Sequence, residues 1–152
     1  MEAMELGIFM ISACVFGALL EYPGSPARQA LPDPLLRRAL GGMAMGLTAI
    51  GVIYSPWGKR SGAHFNPSVT LTFWRLGKVG GADALFYVIA QFAGAVIGVL
   101  AATVVLQHTL SHPQVNYVVT LPGPNGVAIA FVAEAIIAFI QMTVVLNVSN
   151  RM

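Results

Sequence analysis

Apolar residues fall along this chain in four long blocks, separated by polar, proline-bearing stretches. The blocks run from about Leu6 to Leu20, Ala39 to Tyr54, Ala84 to Leu106 and Val127 to Val148. A helix needs roughly 20 residues to cross the hydrocarbon core of a bilayer. The third and fourth blocks reach that length unaided. The first two need their flanks, Met1 to Glu5 and Leu35 to Arg38. Tyr22 and Tyr54 close the first two blocks, where aromatic side chains suit the membrane interface. The pattern predicts an all-α membrane protein with four transmembrane helices.

The connections differ in kind. Residues 21–38 carry Pro23, Pro26, Pro32 and Pro34, which predicts an extended, non-helical linker. Residues 107–126 carry Pro113, Pro122, Pro124, Gly123 and Gly126 and read as another loop. Residues 55–83 are too long for a tight turn, and their middle is moderately apolar: Val69, Leu71, Phe73, Trp74, Leu76. Asn66 suits an N-cap and Pro67 the first helical position. Gly77 suits the end, with Arg75 and Lys78 beside it, where the helix dipole favours cations. About ten residues at 1.5 Å each span roughly 15 Å, half of the roughly 30 Å hydrocarbon core. That length predicts a re-entrant half-helix within residues 61–76, its N-terminus at the bilayer centre. An interfacial amphipathic helix over residues 66–76, capped by Asn66, has the same spacing and stays open on these grounds.

A half-helix of this kind carries its own chemistry. Its N-terminus presents free N–H groups and about half a positive charge. Lipid cannot satisfy the preceding irregular backbone, Gly62, Ala63, His64 and Phe65, so that stretch must be buried in protein or line a wet path. Its carbonyl oxygens can form a row of acceptors, with the Asn66 amide as a donor. Acceptors in line, then a donor and a positive helix end, suit a neutral hydrogen-bonding solute and disfavour cations and protons.

Composition narrows the class. Of 152 residues, 57% are hydrophobic and 9% charged, against about 25% charged in soluble domains. A net charge of +2 gives no footprint for nucleic acid. Lys59, Arg60, Arg75, Lys78 and Arg151 fall on one side of four spans and Arg28, Arg37 and Arg38 on the other, so the half-helix is expected to enter from the cytoplasm. The acidic start, Glu2 and Glu5, does not resemble a secretory signal, so the first span is expected to be retained. Cys14 has no partner cysteine and sits in an apolar run as a small hydrophobe. No nucleophile, metal or phosphate-binding pattern is present, which predicts no enzyme, no metal and no cofactor. His64 is expected to be a hydrogen-bonded structural residue rather than a ligand. Gly94 and Gly98 form a GxxxG pair suited to close helix packing inside the bundle. Asn147-Val148-Ser149 matches a glycosylation pattern only by chance, at a span end expected to be cytoplasmic.

Ser61-Gly62-Ala63-His64-Phe65-Asn66-Pro67-Ser68-Val69-Thr70 closely resembles the first signature loop of the aquaporin, or major intrinsic protein, family, whose usual form is SGxHxNPAVT. Ala44-Met45-Gly46-Leu47 resembles the second-helix element before that loop, and Gln91 with Gly94 and Gly98 resembles the third helix. The resemblance implies a fold of inverted repeats, with residues 1–126 as the first repeat and 127–152 as the first helix of the next. The family's second half-helix, with its second Asn-Pro-Ala and following arginine, is absent from this sequence. Glu5 and Glu134, which resemble glutamates of the family's first and fourth helices, are expected to brace re-entrant loops by accepting backbone N–H groups. The resemblance implies a passive channel for water and glycerol-like neutral solutes, in a multi-pass homotetramer in contact with membrane lipid. Asn66, Gly62, Ala63, His64, Phe65, Val69 and Met45 would line its pore, and Asn66, Pro67 and Ser68 would form the half-helix motif. Ser68 stands where the family usually has alanine. Met45 stands where water-selective members have an aromatic, which leaves water against glycerol open. The compact loops suggest a bacterial inner membrane. The alternative is a channel-inactive membrane fragment, or a half-channel that needs a partner chain.

Overall fold

The computed structural model describes residues 1–149. Every element among them is helical. Arg151, used above for orientation, lies outside the described residues. Among the described residues eight α-helices follow in order: α1 Glu2–Glu21, α2 Pro26–Ala30, α3 Pro34–Tyr54, α4 Gly58–Ser61, α5 Pro67–Arg75, α6 Gly81–Leu106, α7 His108–Ser111 and α8 Val127–Ser149. A short 3-10 turn covers Asn116–Val118. Among the described residues four helices, α1, α3, α6 and α8, are long and apolar enough to cross a membrane.

The chain divides into two compact units, Met1–Val119 and Thr120–Met152. Within the first, α1 and α6 run in parallel and pack closely, with Ala3 against Gly94 and Gly7 against Gly98. The glycine pair serves this contact. A methyl group built on Gly94 would lie 1.9 Å from the Ala3 carbonyl oxygen, and one on Gly98 2.5 Å from that of Gly7. Towards the far end of the pair, Cys14, Ala18, Ala102, Leu110 and Val115 form the buried apolar cluster, with Tyr22, Val99, Leu106 and Val118 against it. α3 joins α1 through a hydrogen bond of 2.7 Å between the Ser12 and Thr48 hydroxyls.

The linker over residues 21–38 is not the extended segment expected. It contains α2 and the first turn of α3. Proline breaks a helix interior but suits the first position, which needs no N–H. Pro26 and Pro34 both occupy that position, after Ser25 and Asp33, and Asp33 accepts the Leu35 N–H at 2.8 Å. Arg37 then lies buried, donating to the Leu31 and Pro32 carbonyls and to Glu21, which also pairs with Arg28 at 2.9 Å. The loop over residues 107–126 likewise holds α7 and the 3-10 turn. Its Leu110 and Val115 are drawn into the apolar cluster, which favours short helical pieces that satisfy their own backbone.

In the second unit, Gly126 at φ +89° opens α8. The helix is apolar almost throughout, and Thr143 and Asn147 donate to carbonyls one turn back, Phe139 and Thr143. Side chains that bond their own backbone need no water, as a lipid-facing helix requires.

Candidate functional site

The half-helix is α5, nine residues long. Asn66 caps it in extended backbone, its Oδ1 accepting the Ser68 N–H at 2.8 Å, and Pro67 takes the first position. At the other end, Lys78 N–H bonds Phe73 O and Gly77 N–H bonds Trp74 O, both at 2.9 Å, with Gly77 at φ +71°. This pair of reversed bonds is a Schellman cap, which glycine in the left-handed region permits. At about 1.5 Å per residue, α5 is roughly 13 Å long, half a membrane.

The loop before it is held by side chains from two spans. α4 ends at Gly62, φ +89°, and the chain then takes positive φ at Ala63 (+49°) and Phe65 (+27°). Non-glycine residues rarely adopt that region, and surrounding contacts must impose it. Here a buried carboxylate imposes it. Glu2 accepts the His64 N–H at 3.1 Å, the Phe65 N–H at 2.8 Å and an amide N–H of Gln91. One turn on, Glu5 accepts the Ser61 hydroxyl at 2.7 Å, and Ser61 Oγ accepts the Ala63 N–H at 3.0 Å. The Tyr87 hydroxyl donates to Ser61 O at 2.9 Å.

The orientation of the carbonyls follows. Across a trans peptide N–H and C=O point in opposite directions. Three successive N–H groups, of Ala63, His64 and Phe65, are turned towards Ser61 and Glu2. The carbonyls of Gly62, Ala63 and His64 therefore face away from that brace. Among the described residues none of them, nor that of Phe65, accepts a hydrogen bond from the protein.

His64 is buried. Its Nδ1 shares a 3.1 Å hydrogen bond with the Thr70 hydroxyl, and its ring stacks on Phe73 at 5.1 Å and meets Tyr87 edge-on at 5.4 Å. Thr70, fully buried, also accepts an amide N–H of Gln91 at 3.0 Å. The Phe65 ring lies 5.5 Å from that of Phe9. Val69 is buried on α5 and Asn66 is half-buried. Met45 is half-buried on α3, and none of the loop's hydrogen bonds reaches that helix among the described residues.

Glu5, expected to accept loop N–H groups itself, does so only through Ser61. The direct acceptor is Glu2, three residues earlier on the same face of α1. Glu134 belongs to α8 in the other unit. Glu2, Thr70 and Tyr87 are site residues that the sequence reading passed over. The signal for Glu2 was its spacing: two carboxylates three apart on a spanning helix share a face and need buried donors.

The chain matches the profile of the major intrinsic protein family over residues 2–152. It is 32% identical to aquaporin Z of Photorhabdus laumondii over 121 residues, which cover 72% of this chain and 50% of that protein. It is 39% identical over 118 residues to a probable aquaporin, AqpM, of Archaeoglobus fulgidus, covering 71% and 44%. With the glycerol uptake facilitator protein-like 6 of Lactiplantibacillus plantarum the identity is 35% over 115 residues, covering 72% and 50%. The chain thus spans about half the length of the curated relatives it matches. No solved structure matches it. A family profile that runs almost the whole length of the chain, over spans that hold by its backbone the loop before a capped half-helix, places this chain in the major intrinsic protein family.

Proposed function

We propose that the chain forms the wall and central donor of a passive transmembrane path for water and glycerol-like neutral solutes. The observation that carries this reading is the row of four loop carbonyls, Gly62 to Phe65, without a protein donor among the described residues. A solute that donates hydrogen bonds can move along such a row, exchanging one acceptor for the next. At its end stands Asn66. Its Oδ1 is committed to capping α5, which leaves the two N–H groups of Nδ2 for a solute oxygen. The positive end of α5 lies at the same place and repels cations. No covalent step and no cofactor enter this path. Val69 and Met45 supply apolar wall, and Met45, flexible and without a ring, suits solutes larger than water. The relatives named for water and for glycerol uptake support this range.

In this reading residues 1–126 form one repeat and residues 127–152 begin an inverted second. The assembly is a multi-pass homotetramer in the cell membrane of a bacterium, in contact with membrane lipid. A second reading has its own observation: a half-helix reaches only mid-membrane, and the chain matches only about half the length of its relatives. There the chain conducts only when joined to a second half-helix, in the same polypeptide or another.

Stopped-flow shrinkage of liposomes carrying the 152-residue chain tests the first reading. Water or glycerol flux above that of protein-free vesicles, reduced by Asn66→Ala, is the expected result. Flux equal to empty vesicles refutes conduction by this chain alone and leaves the second reading.

A further inference from the structure

α7 lies at the end of the first unit opposite the mouth of α5, where α1 and α6 finish. It is one helical turn, and its Leu110 is fully buried in the apolar cluster with Cys14, Ala18 and Ala102. Anchored there, the turn presents His108 and His112 on either side of Leu110. They are four residues apart, His108 as the first residue of α7 and His112 as its C-cap, a spacing that sets side chains on one face of a helix. Both rings stand against the same neighbour, Tyr22 at the end of α1. The His112 ring centroid is 5.3 Å from that of Tyr22 and His108's is 6.1 Å, both edge-on. Tyr22 itself packs on the apolar cluster, so the pair has a fixed backing. His108 is exposed, and its ring nitrogens have no hydrogen-bond partner among the described residues. His112 is half-exposed, and its Nδ1 accepts the Gln114 N–H at 3.2 Å.

We propose that His108 and His112 form a two-imidazole site for a divalent transition-metal ion of the Zn²⁺ or Cu²⁺ type. Imidazole nitrogens suit these ions, and a histidine pair at this helical spacing can hold one between them. No third His, Cys, Asp or Glu joins them among the described residues, so water completes the coordination. The absence of carboxylates selects against Ca²⁺ and Mg²⁺, which need oxygen ligands. Ligation through Nε2 of His112 places that ring's proton on Nδ1. The Gln114 N–H then passes to solvent, which it reaches on this exposed turn. The bound ion ties the start of α7 to its end and stiffens the loop between α6 and α8.

Copper titration of the full, untagged chain tests the site by electron paramagnetic resonance. One Cu²⁺ per chain is expected, with hyperfine structure from two nitrogens. Zn²⁺ in large excess should compete with it, because copper binds nitrogen ligands more tightly, and Ca²⁺ at the same excess should not. His108→Asn and His112→Asn should each weaken binding at least tenfold and leave one coupled nitrogen. The double variant should show neither nitrogen. Asparagine at 112 keeps a side-chain acceptor for the Gln114 N–H. Unchanged melting temperatures without metal would show that the turn persists. No uptake by the parent chain, one nitrogen only, or equal binding by the double variant would overturn the site.

Discussion

Glu2 Oε2 accepts the backbone N–H of Phe65 at 2.8 Å, across 63 positions of sequence. The same carboxylate takes the His64 N–H, so one side chain fixes two successive peptides of the loop that precedes the half-helix. Glu2→Ala strands both N–H groups in a buried site. Unsatisfied buried donors cost about 1–3 kcal/mol each. The expected loss is therefore about 2–5 kcal/mol, read as a lower midpoint in denaturant unfolding of the detergent-solubilised protein. Glu2→Gln keeps an acceptor but brings a second amide against Gln91, so it should fall between. A variant as stable as the parent would remove Glu2 from the brace.

Asn66 performs two tasks that a pair of substitutions separates. Aspartate caps a helix as well as asparagine, whereas alanine costs about 1 kcal/mol. Asn66→Asp should thus keep the Ser68 N–H satisfied and leave stability near that of the parent. It has no side-chain N–H to donate and adds a negative charge at the path. Flux of neutral solute is expected to fall, and cation leak through liposomes to rise. Asn66→Ala should lose the cap and the donor together. Unchanged flux in both would take the side chain out of the conduction path.

The α1–α6 crossing makes an internal comparison available. A methyl group on Gly94 meets the Ala3 carbonyl oxygen at 1.9 Å, so Gly94→Ala must push two backbones apart. Overpacking of this kind costs typically 1–3 kcal/mol, and Glu2 and Gln91, on the same two helices, would separate with it. A methyl group on Gly42 or Gly46 of α3 meets nothing within 4 Å. Alanine there should be neutral or stabilise by about 0.5–1 kcal/mol, because glycine weakens a helix interior. Thermal unfolding of the three variants checks the order; equal effects would contradict the close crossing.

What the sequence made legible was whatever depended on local chemistry. Asn66, Pro67 and Gly77 announce the two ends of α5 because capping uses neighbouring residues, and the caps form as the spacing predicts. The apolar blocks locate α1, α3, α6 and α8 because lipid imposes length and composition. Harder to read was the choice between Glu2 and Glu5, since it turns on how far α1 slides along α6, a register set by Gly94 and Gly98 many residues away. The helical start at Pro26 was obscured for another reason: proline signals both a break and a beginning, and only the residue before it, Ser25 buried with its hydroxyl on the Leu19 carbonyl, decides.

Arg37 gives the last test, in the linker that the sequence left extended. Its guanidinium is buried and donates to the Leu31 and Pro32 carbonyls at 2.8 and 2.9 Å and to Glu21 at 3.3 Å. Three acceptors from two segments meet on one planar fork, which lysine, with a single nitrogen, cannot reproduce. Arg37→Lys should therefore destabilise nearly as much as Arg37→Met. Either leaves carbonyls or a carboxylate without a donor, at about 1–3 kcal/mol. Glu21 is a third exposed, so Glu21→Gln keeps water as a partner and should cost less than 1 kcal/mol or so. Protease cleavage between Glu21 and Pro34 gives the local readout: faster in both Arg37 variants, near the parent rate in Glu21→Gln. If Glu21→Gln opens the linker as far as Arg37→Met does, the ion pair rather than the carbonyl fork holds it closed.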